Sequence, residues 1–132
     1  YNAYGPREIS RGKYATLIGL FADRMRSGQS LEVVSPGSQK RNFTHVSDIV
    51  SGLMRVGFEG LGDDFGIGSD EAFTILDIAS MFGGEVVMVP ERRGNRLAAE
   101  VLTEKTRVLG WRAQHSIRDY IADLRENNWV QK

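Results

Sequence analysis

The stretch Gly37-Ser38-Gln39-Lys40-Arg41-Asn42-Phe43-Thr44-His45-Val46-Ser47-Asp48 runs through a turn, a strand and the start of a helix in immediate succession. Pro36-Gly37 at its head is turn chemistry, because proline presets φ and glycine accepts backbone conformations that other residues avoid. Asn42 to Val46 has the β-branched and aromatic character of a short strand. Ser47 and Asp48 are natural helix N-caps. Ile49, Leu53 and Val56, with Val50 and Met54 beside them, give the following helix its apolar stripe. That helix is expected to stop in the glycine-rich stretch Gly57 to Gly62.

The same reading extends in both directions. Upstream, Tyr14, Leu17, Ile18, Phe21 and Met25 recur at three and four residues, which predicts a helix from Tyr14 to Gly28 with one buried face, and Leu31 to Ser35 follows as a strand. Downstream, Phe65 and Ile67 mark another short strand. Thr74-Ile75-Leu76-Asp77 has the form of a capping box opening a helix with Ile75, Ile78, Ala79 and Phe82 inward, closed by Gly83-Gly84. Glu85 to Val89 reads as a buried strand ended by Pro90. Thr103 to Leu109 is a short helix. Ser116 to Glu126 is a longer one that buries Ile117, Tyr120, Ile121 and Leu124. Helices alternating with short strands define an α/β class.

Composition bounds the function. The chain has 132 residues, enough for one domain spanning 1–132. Seventeen Lys plus Arg balance seventeen Asp plus Glu, so no global field draws a polyanion and nucleic acid is not an expected partner. With no cysteine and only His45 and His115, no thiolate or histidine cluster can build a metal site. No apolar run reaches the ~20 residues that span a bilayer, so no membrane association is expected and the chain reads as cytoplasmic. Tyr1-Asn2-Ala3-Tyr4-Gly5-Pro6 looks like a strand running into a turn, which suggests a cut in a longer chain.

Two cationic loops stand out. Arg41 lies just beyond the Pro36-Gly37 turn, where a guanidinium could grip a phosphate, although most such arginines are solvated turn residues. Arg92, Arg93 and Arg96 form a second cluster, and a diphosphate is the kind of ligand that uses two such sites. Asp63-Asp64 reads as solvent-facing turn residues with no catalytic role, and His45 as a hydrogen-bonded structural histidine. Trp111 and Trp129 read as packing anchors.

Read together, Tyr1-Asn2-Ala3-Tyr4-Gly5-Pro6-Arg7, the stretch Gly37 to Asp48, Phe65-Gly66-Ile67-Gly68-Ser69 and Arg92-Arg93-Gly94-Asn95 resemble the extended short-chain dehydrogenase/reductases that act on nucleotide sugars. Gly5 to Ala15 and the Phe-Thr-His-Val ending are similar to UDP-glucose 4-epimerase-like members, and Lys105 to Trp111 resembles the C-terminal segment of the family. The resemblance implies the C-terminal substrate-binding portion of such an enzyme, with NAD bound mainly by an N-terminal Rossmann domain and a homodimer as the intact form. It places Tyr1 near the nicotinamide end of the cofactor and Asn2 on the substrate diphosphate. Ile18, Glu32, Val33 and Val34 fall around the nucleobase, the last three partly through backbone groups. Arg41 and Arg92 become the diphosphate clamp.

Some positions depart from the family pattern. Asn95 stands where the family carries an acid that reaches the ribose hydroxyls, Gly66 where an asparagine is common, and Asn42 where an aspartate is common. Neither a Gly-x-x-Gly-x-x-Gly turn nor a Tyr-x-x-x-Lys pair occurs, so catalytic residues are not expected in this chain. The implied partner is a nucleotide sugar, UDP-linked by the subfamily likeness, and the implied activity is epimerisation. A 4,6-dehydratase and a non-catalytic nucleotide-sugar-binding module are the alternatives.

Overall fold

The computed structural model describes residues 2–59, 62–90 and 103–131. In chain order the elements are β1 (Asn2–Tyr4), α1 (Leu17–Arg26), β2 (Leu31–Val34), β3 (Lys40–His45), α2 (Val46–Glu59), β4 (Ala72–Thr74), α3 (Ile75–Phe82), β5 (Val86–Val89), α4 (Glu104–Val108) and α5 (Ile117–Glu126). They form two small sheets. One has the order β1-β3-β4, with β1 parallel and β4 antiparallel to β3; the other is the parallel pair β2-β5. The α/β class expected from the sequence is the class observed.

The core forms where α1, α3 and α5 meet β2 and β3, with Ile18, Phe21, Leu31, Val33, Ile78, Phe82 and Ile121 each at most 1% exposed. Phe82 is its centre. It meets Phe21 edge-on at 5.6 Å and Trp129 face-on at 5.3 Å, so Trp129 is the packing anchor the sequence suggests. The helix ends follow local chemistry. Thr16 Oγ1 accepts from Gly19 N–H at the start of α1, and Thr74 and Asp77 close a full capping box at the start of α3, which Gly83 ends in the left-handed region at φ 75°. Among the described residues no helix is long and apolar enough to cross a membrane.

Four expectations need correction. Tyr14 is 75% exposed and precedes α1, because the Thr16 cap sets the start of the helix. Phe65 and Ile67 form no strand. Their segment is held by side chains instead, with Thr106 Oγ1 donating to the Gly66 carbonyl and Thr44 Oγ1 accepting from Ser69 N–H, and the strand lies further on at Ala72–Thr74. β5 is not buried: Val86, Val87 and Met88 are 38–45% exposed on a strand paired along one edge to β2. The fourth correction is α2. It follows β3 without a loop and begins at Val46, so Ser47 and Asp48 lie inside its first turn rather than capping it; its inward face is Asp48 and Gly52 flanked by half-buried Ile49 and Val56, while Val50, Leu53 and Met54 face outward. Gly52 permits this packing because Ile67 and Trp111 lie where its Cβ would be.

Candidate functional site

Three of the four motif segments come together around β3. Asn2 on β1 stands in register with Phe43 on β3, and its amide Nδ2 donates to the carbonyl of Asn42 at 3.2 Å, the residue next to Arg41. Asn42 Nδ2 donates to the Ser69 carbonyl at 2.8 Å, and Ser69 N–H donates to Thr44 Oγ1 at 2.9 Å. A carboxylate at 42 could not make that donation, which gives a local reason for the amide. Arg41 is half-buried near the start of β3, and its guanidinium donates to the Lys40 carbonyl at 2.8 Å.

β2 reaches the same neighbourhood through the 35–39 turn. Gln39 is 2% exposed, and its Nε2 donates to the Val34 carbonyl at 3.1 Å and the Ser35 carbonyl at 3.4 Å. Gly37 N–H also donates to Val34, and Gly37 has φ 76°, where a side chain would be strained. This cross-link fixes the end of β2 against the start of β3. No sequence signal marks it, because a glutamine inside a polar turn ordinarily faces water.

The candidate nucleobase residues lie on the α1 and β2 layer. Ile18 and Val33 are core residues, 1% and 0% exposed, so neither presents an open surface to a partner. Glu32 is exposed and paired with Arg24 of α1 at 2.9 Å, and Val34 is half-buried. Asn2 and Arg41 therefore sit on the β1-β3 sheet, Ile18 and Glu32 to Val34 on the α1/β2 layer, and the Gln39 turn joins the two groups. Tyr1, Arg92 and Asn95 lie outside the described residues, as do Arg93 and Arg96. A shallow cavity of about 340 Å³ between Pro6, Tyr120, Asp123 and Leu124 of α5 and Asn127 at its end is lined by none of the candidates.

The far end of β3 carries a buried polar node. His45 Nδ1 accepts from Ser47 N–H, as expected of a structural histidine, and its ring stacks on His115 at 4.3 Å. Asp48 is 3% exposed and accepts from Gln114 N–H, His115 N–H and His115 Nδ1. Burial alone would raise the Asp48 pKa, but these hydrogen bonds prevail and hold it below the usual carboxylate range. Burial, then the neighbouring His115, pushes the His45 pKa down against the pull of Asp48.

A dinucleotide diphosphate is typically held by a glycine-rich turn opening onto a helix N-terminus. The glycine-bearing segment from Gly62 to Gly68 leads into β4, not into a helix, so that segment does not fit such a role for NAD.

Asn2, Gln39 and Arg41 thus gather where the two parallel strand pairs meet. A model of the NAD dependent epimerase/dehydratase family matches residues 1–68, more than half of the 132, and the chain belongs to that family. UDP-glucuronic acid decarboxylase 5 of Arabidopsis thaliana is 33% identical over 138 residues, covering 96% of this chain and 39% of the relative. A putative UDP-glucose 4-epimerase of Methanocaldococcus jannaschii is 28% identical over 135 residues, covering 98% of this chain and 43% of the relative.

Solved structures agree on the fold. An epimerase from Methanothermobacter thermautotrophicus superposes with a TM-score of 0.80 at 27% identity, over 96% of this chain and 43% of the other. A UDP-glucose 4-epimerase from Thermotoga maritima, solved with UDP-glucose, gives a TM-score of 0.80 at 23% identity over 96% of this chain and 44% of the other. The chain thus spans about two fifths of the length of the relatives it matches.

Proposed function

We propose that residues 1–132 form the nucleotide-sugar-binding portion of an NAD-dependent, UDP-glucose 4-epimerase-like enzyme. In this reading the portion grips the nucleotide while the rest of the protein holds NAD and performs hydride and proton transfer. The observation that carries it is the junction at the head of β1 and β3, where the Asn2 amide bonds the backbone beside Arg41. A diphosphate needs donors converging from more than one element, and a guanidinium offers them in a planar fork. Glu32 and the half-buried Val34 would border the base, with Ile18 and Val33 supporting them from the core, Arg92 completing the clamp and Asn95 facing the ribose. NAD, when bound, supplies the reversible oxidation of a sugar carbon, and Tyr1 is its one assigned contact in this chain.

A second reading, in which the substrate is a UDP-linked uronic acid, is supported by the 33% identity to a UDP-glucuronic acid decarboxylase. Both readings share the diphosphate grip. The test is a double-mutant cycle of Arg41→Ala and Arg92→Ala on UDP affinity by calorimetry. Each single change is expected to weaken binding, with a coupling energy of about 0.5 kcal/mol or more between them. Additive effects would place the two arginines at separate sites.

A further inference from the structure

Residues 66–70 lie between α2 and β4 and form neither helix nor strand, yet side chains tie them down from two directions. Thr106 of α4 is fully buried and donates its hydroxyl to the Gly66 carbonyl at 2.7 Å. Thr103, just before α4, donates to Asp70 Oδ1 at 2.9 Å, and the Arg107 guanidinium pairs with the same carboxylate oxygen. From β3, Asn42 Nδ2 donates to the Ser69 carbonyl at 2.8 Å while Thr44 Oγ1 accepts from Ser69 N–H at 2.9 Å. Both backbone polar groups of Ser69 are therefore engaged by β3.

Successive residues of a strand point to opposite faces, so Asn42 and Thr44 share the face that holds Ser69, and Arg41 and Phe43 share the other. Asn2 is the register partner of Phe43. Asn42 joins the two sides: its half-buried side chain is anchored to Ser69, and its carbonyl accepts from Asn2 Nδ2 at 3.2 Å next to Arg41. Two donors that close on one diphosphate need their geometry held to about 0.5 Å by groups that are themselves locked in place.

From this arrangement we propose that Asn42 is a positioning residue for the nucleotide grip, fixing the spacing of Asn2 and Arg41 through its bond to Ser69 without touching the ligand. The proposal rests on reading Asn2 and Arg41 as diphosphate donors.

The test is NMR titration of UDP-glucose, and of uridine as the probe without a diphosphate, into the 132-residue chain and its Asn42→Leu and Asn42→Asp variants. Both variants lose the N–H donor, and only the second adds a charge. At about pH 7 each is expected to weaken UDP-glucose binding by about three- to tenfold, the worth of one hydrogen bond, and to leave uridine within about twofold of the parent. Between about pH 7 and pH 4, Asn42→Asp should recover affinity relative to the parent at the same pH, because a protonated carboxyl again has a hydrogen to donate to Ser69, while Asn42→Leu should not. UDP-glucose suits this comparison because its diphosphate is esterified at both ends and keeps its charge over that range.

Parent-like UDP-glucose binding by Asn42→Leu overturns the proposal. So does an equal loss of uridine and UDP-glucose, which is the mark of a general weakening of the fold, or a failure of Asn42→Asp to recover. Should Asn42→Leu not fold, Asn42→Ser, uncharged and too short to reach Ser69, takes its place with the same expected losses. A parent that binds UDP-glucose and depends on Arg41 but not on Asn42 overturns this inference alone, whereas a parent that does not bind UDP-glucose overturns the functional reading beneath it.

Discussion

His115 Nδ1 lies 2.9 Å from Asp48 Oδ1, while Asp48 Oδ2 accepts the backbone N–H groups of Gln114 and His115. One buried carboxylate thereby ties the first turn of α2 to the segment that leads into α5, across more than sixty residues of chain. Tyr4 adds to the tie by donating its hydroxyl to the His115 carbonyl at 3.3 Å. Removing the carboxylate strands three donors at once. Asp48→Ala is expected to cost about 1–3 kcal/mol in urea unfolding, the range for leaving buried hydrogen-bonding groups unsatisfied. A loss below about 1 kcal/mol would mean that water replaces the carboxylate there.

The pH dependence follows from the same node. His45 has a folded pKa below its ordinary value of 6.5, so the unfolded chain takes up this proton first as pH falls. Its contribution to stability is constant above about pH 6.5 and declines as pH falls from there toward the folded pKa. Asp48, also lowered, stabilises above the unfolded value of 3.8 and loses that contribution as pH falls through its folded pKa. Glu8 has the opposite sign: burial raises its pKa, so its ionisation on the way up through the carboxylate range costs stability. Comparing the parent with His45→Gln isolates the histidine. The decline in unfolding free energy between about pH 6.5 and pH 5.5 should shrink in the variant, and an unchanged slope would contradict the assignment.

Gly52 sets the seat of α2. A Cβ there would come within 2.6 Å of Ile67 Cγ2 and 3.1 Å of Trp111 Cε2, and the Trp111 indole is itself held by a 2.9 Å bond from its Nε1–H to Ser51 Oγ. Helix propensity favours Gly52→Ala by about 1 kcal/mol, while overpacking costs about 1–3 kcal/mol. The ring cannot swing aside freely, so a net loss of up to about 2 kcal/mol is expected in denaturant unfolding. A stabilised variant would mean that the helix slides without penalty.

Gln39 should affect ligand binding without touching the ligand. Gln39→Met keeps the volume but removes both hydrogen bonds to the end of β2, with an expected cost of about 1–2 kcal/mol in stability. If the turn positions Arg41 for a diphosphate, UDP affinity falls as well. A stability loss with unchanged affinity would confine Gln39 to a structural role.

Much of the fold could be read in advance wherever local chemistry decides it. The Thr74/Asp77 capping box, the stripe of Ile117, Ile121 and Leu124 in α5, and the left-handed Gly83 all depend on neighbours within one or two turns. The facing of α2 was not legible in that way. Its apolar residues cover two arcs, and periodicity alone cannot choose which turns inward when the choice rests on Gly52 meeting Trp111 and Asp48 meeting residues 114 and 115. The β4 strand was missed for a related reason: Ala72–Thr74 is a strand only because Lys40–Asn42 lies opposite. For the site, the motif residues Asn2 and Arg41 could be picked out singly, but their joining through the Asn42 carbonyl and the Gln39 turn depends on strand register, which sequence does not display.

The role proposed for this chain is to grip a nucleotide diphosphate through Arg41 and to leave NAD to the rest of the enzyme. Calorimetric titration of UDP and, in parallel, of NAD into the 132-residue chain and its Arg41→Ala variant tests that role most directly. UDP is expected to bind the parent and to lose about 1.5–3 kcal/mol of binding in the variant, roughly ten- to a hundredfold in affinity, while NAD binds neither tightly. UDP affinity unchanged by Arg41→Ala, or tight stoichiometric NAD binding to the chain alone, would contradict it.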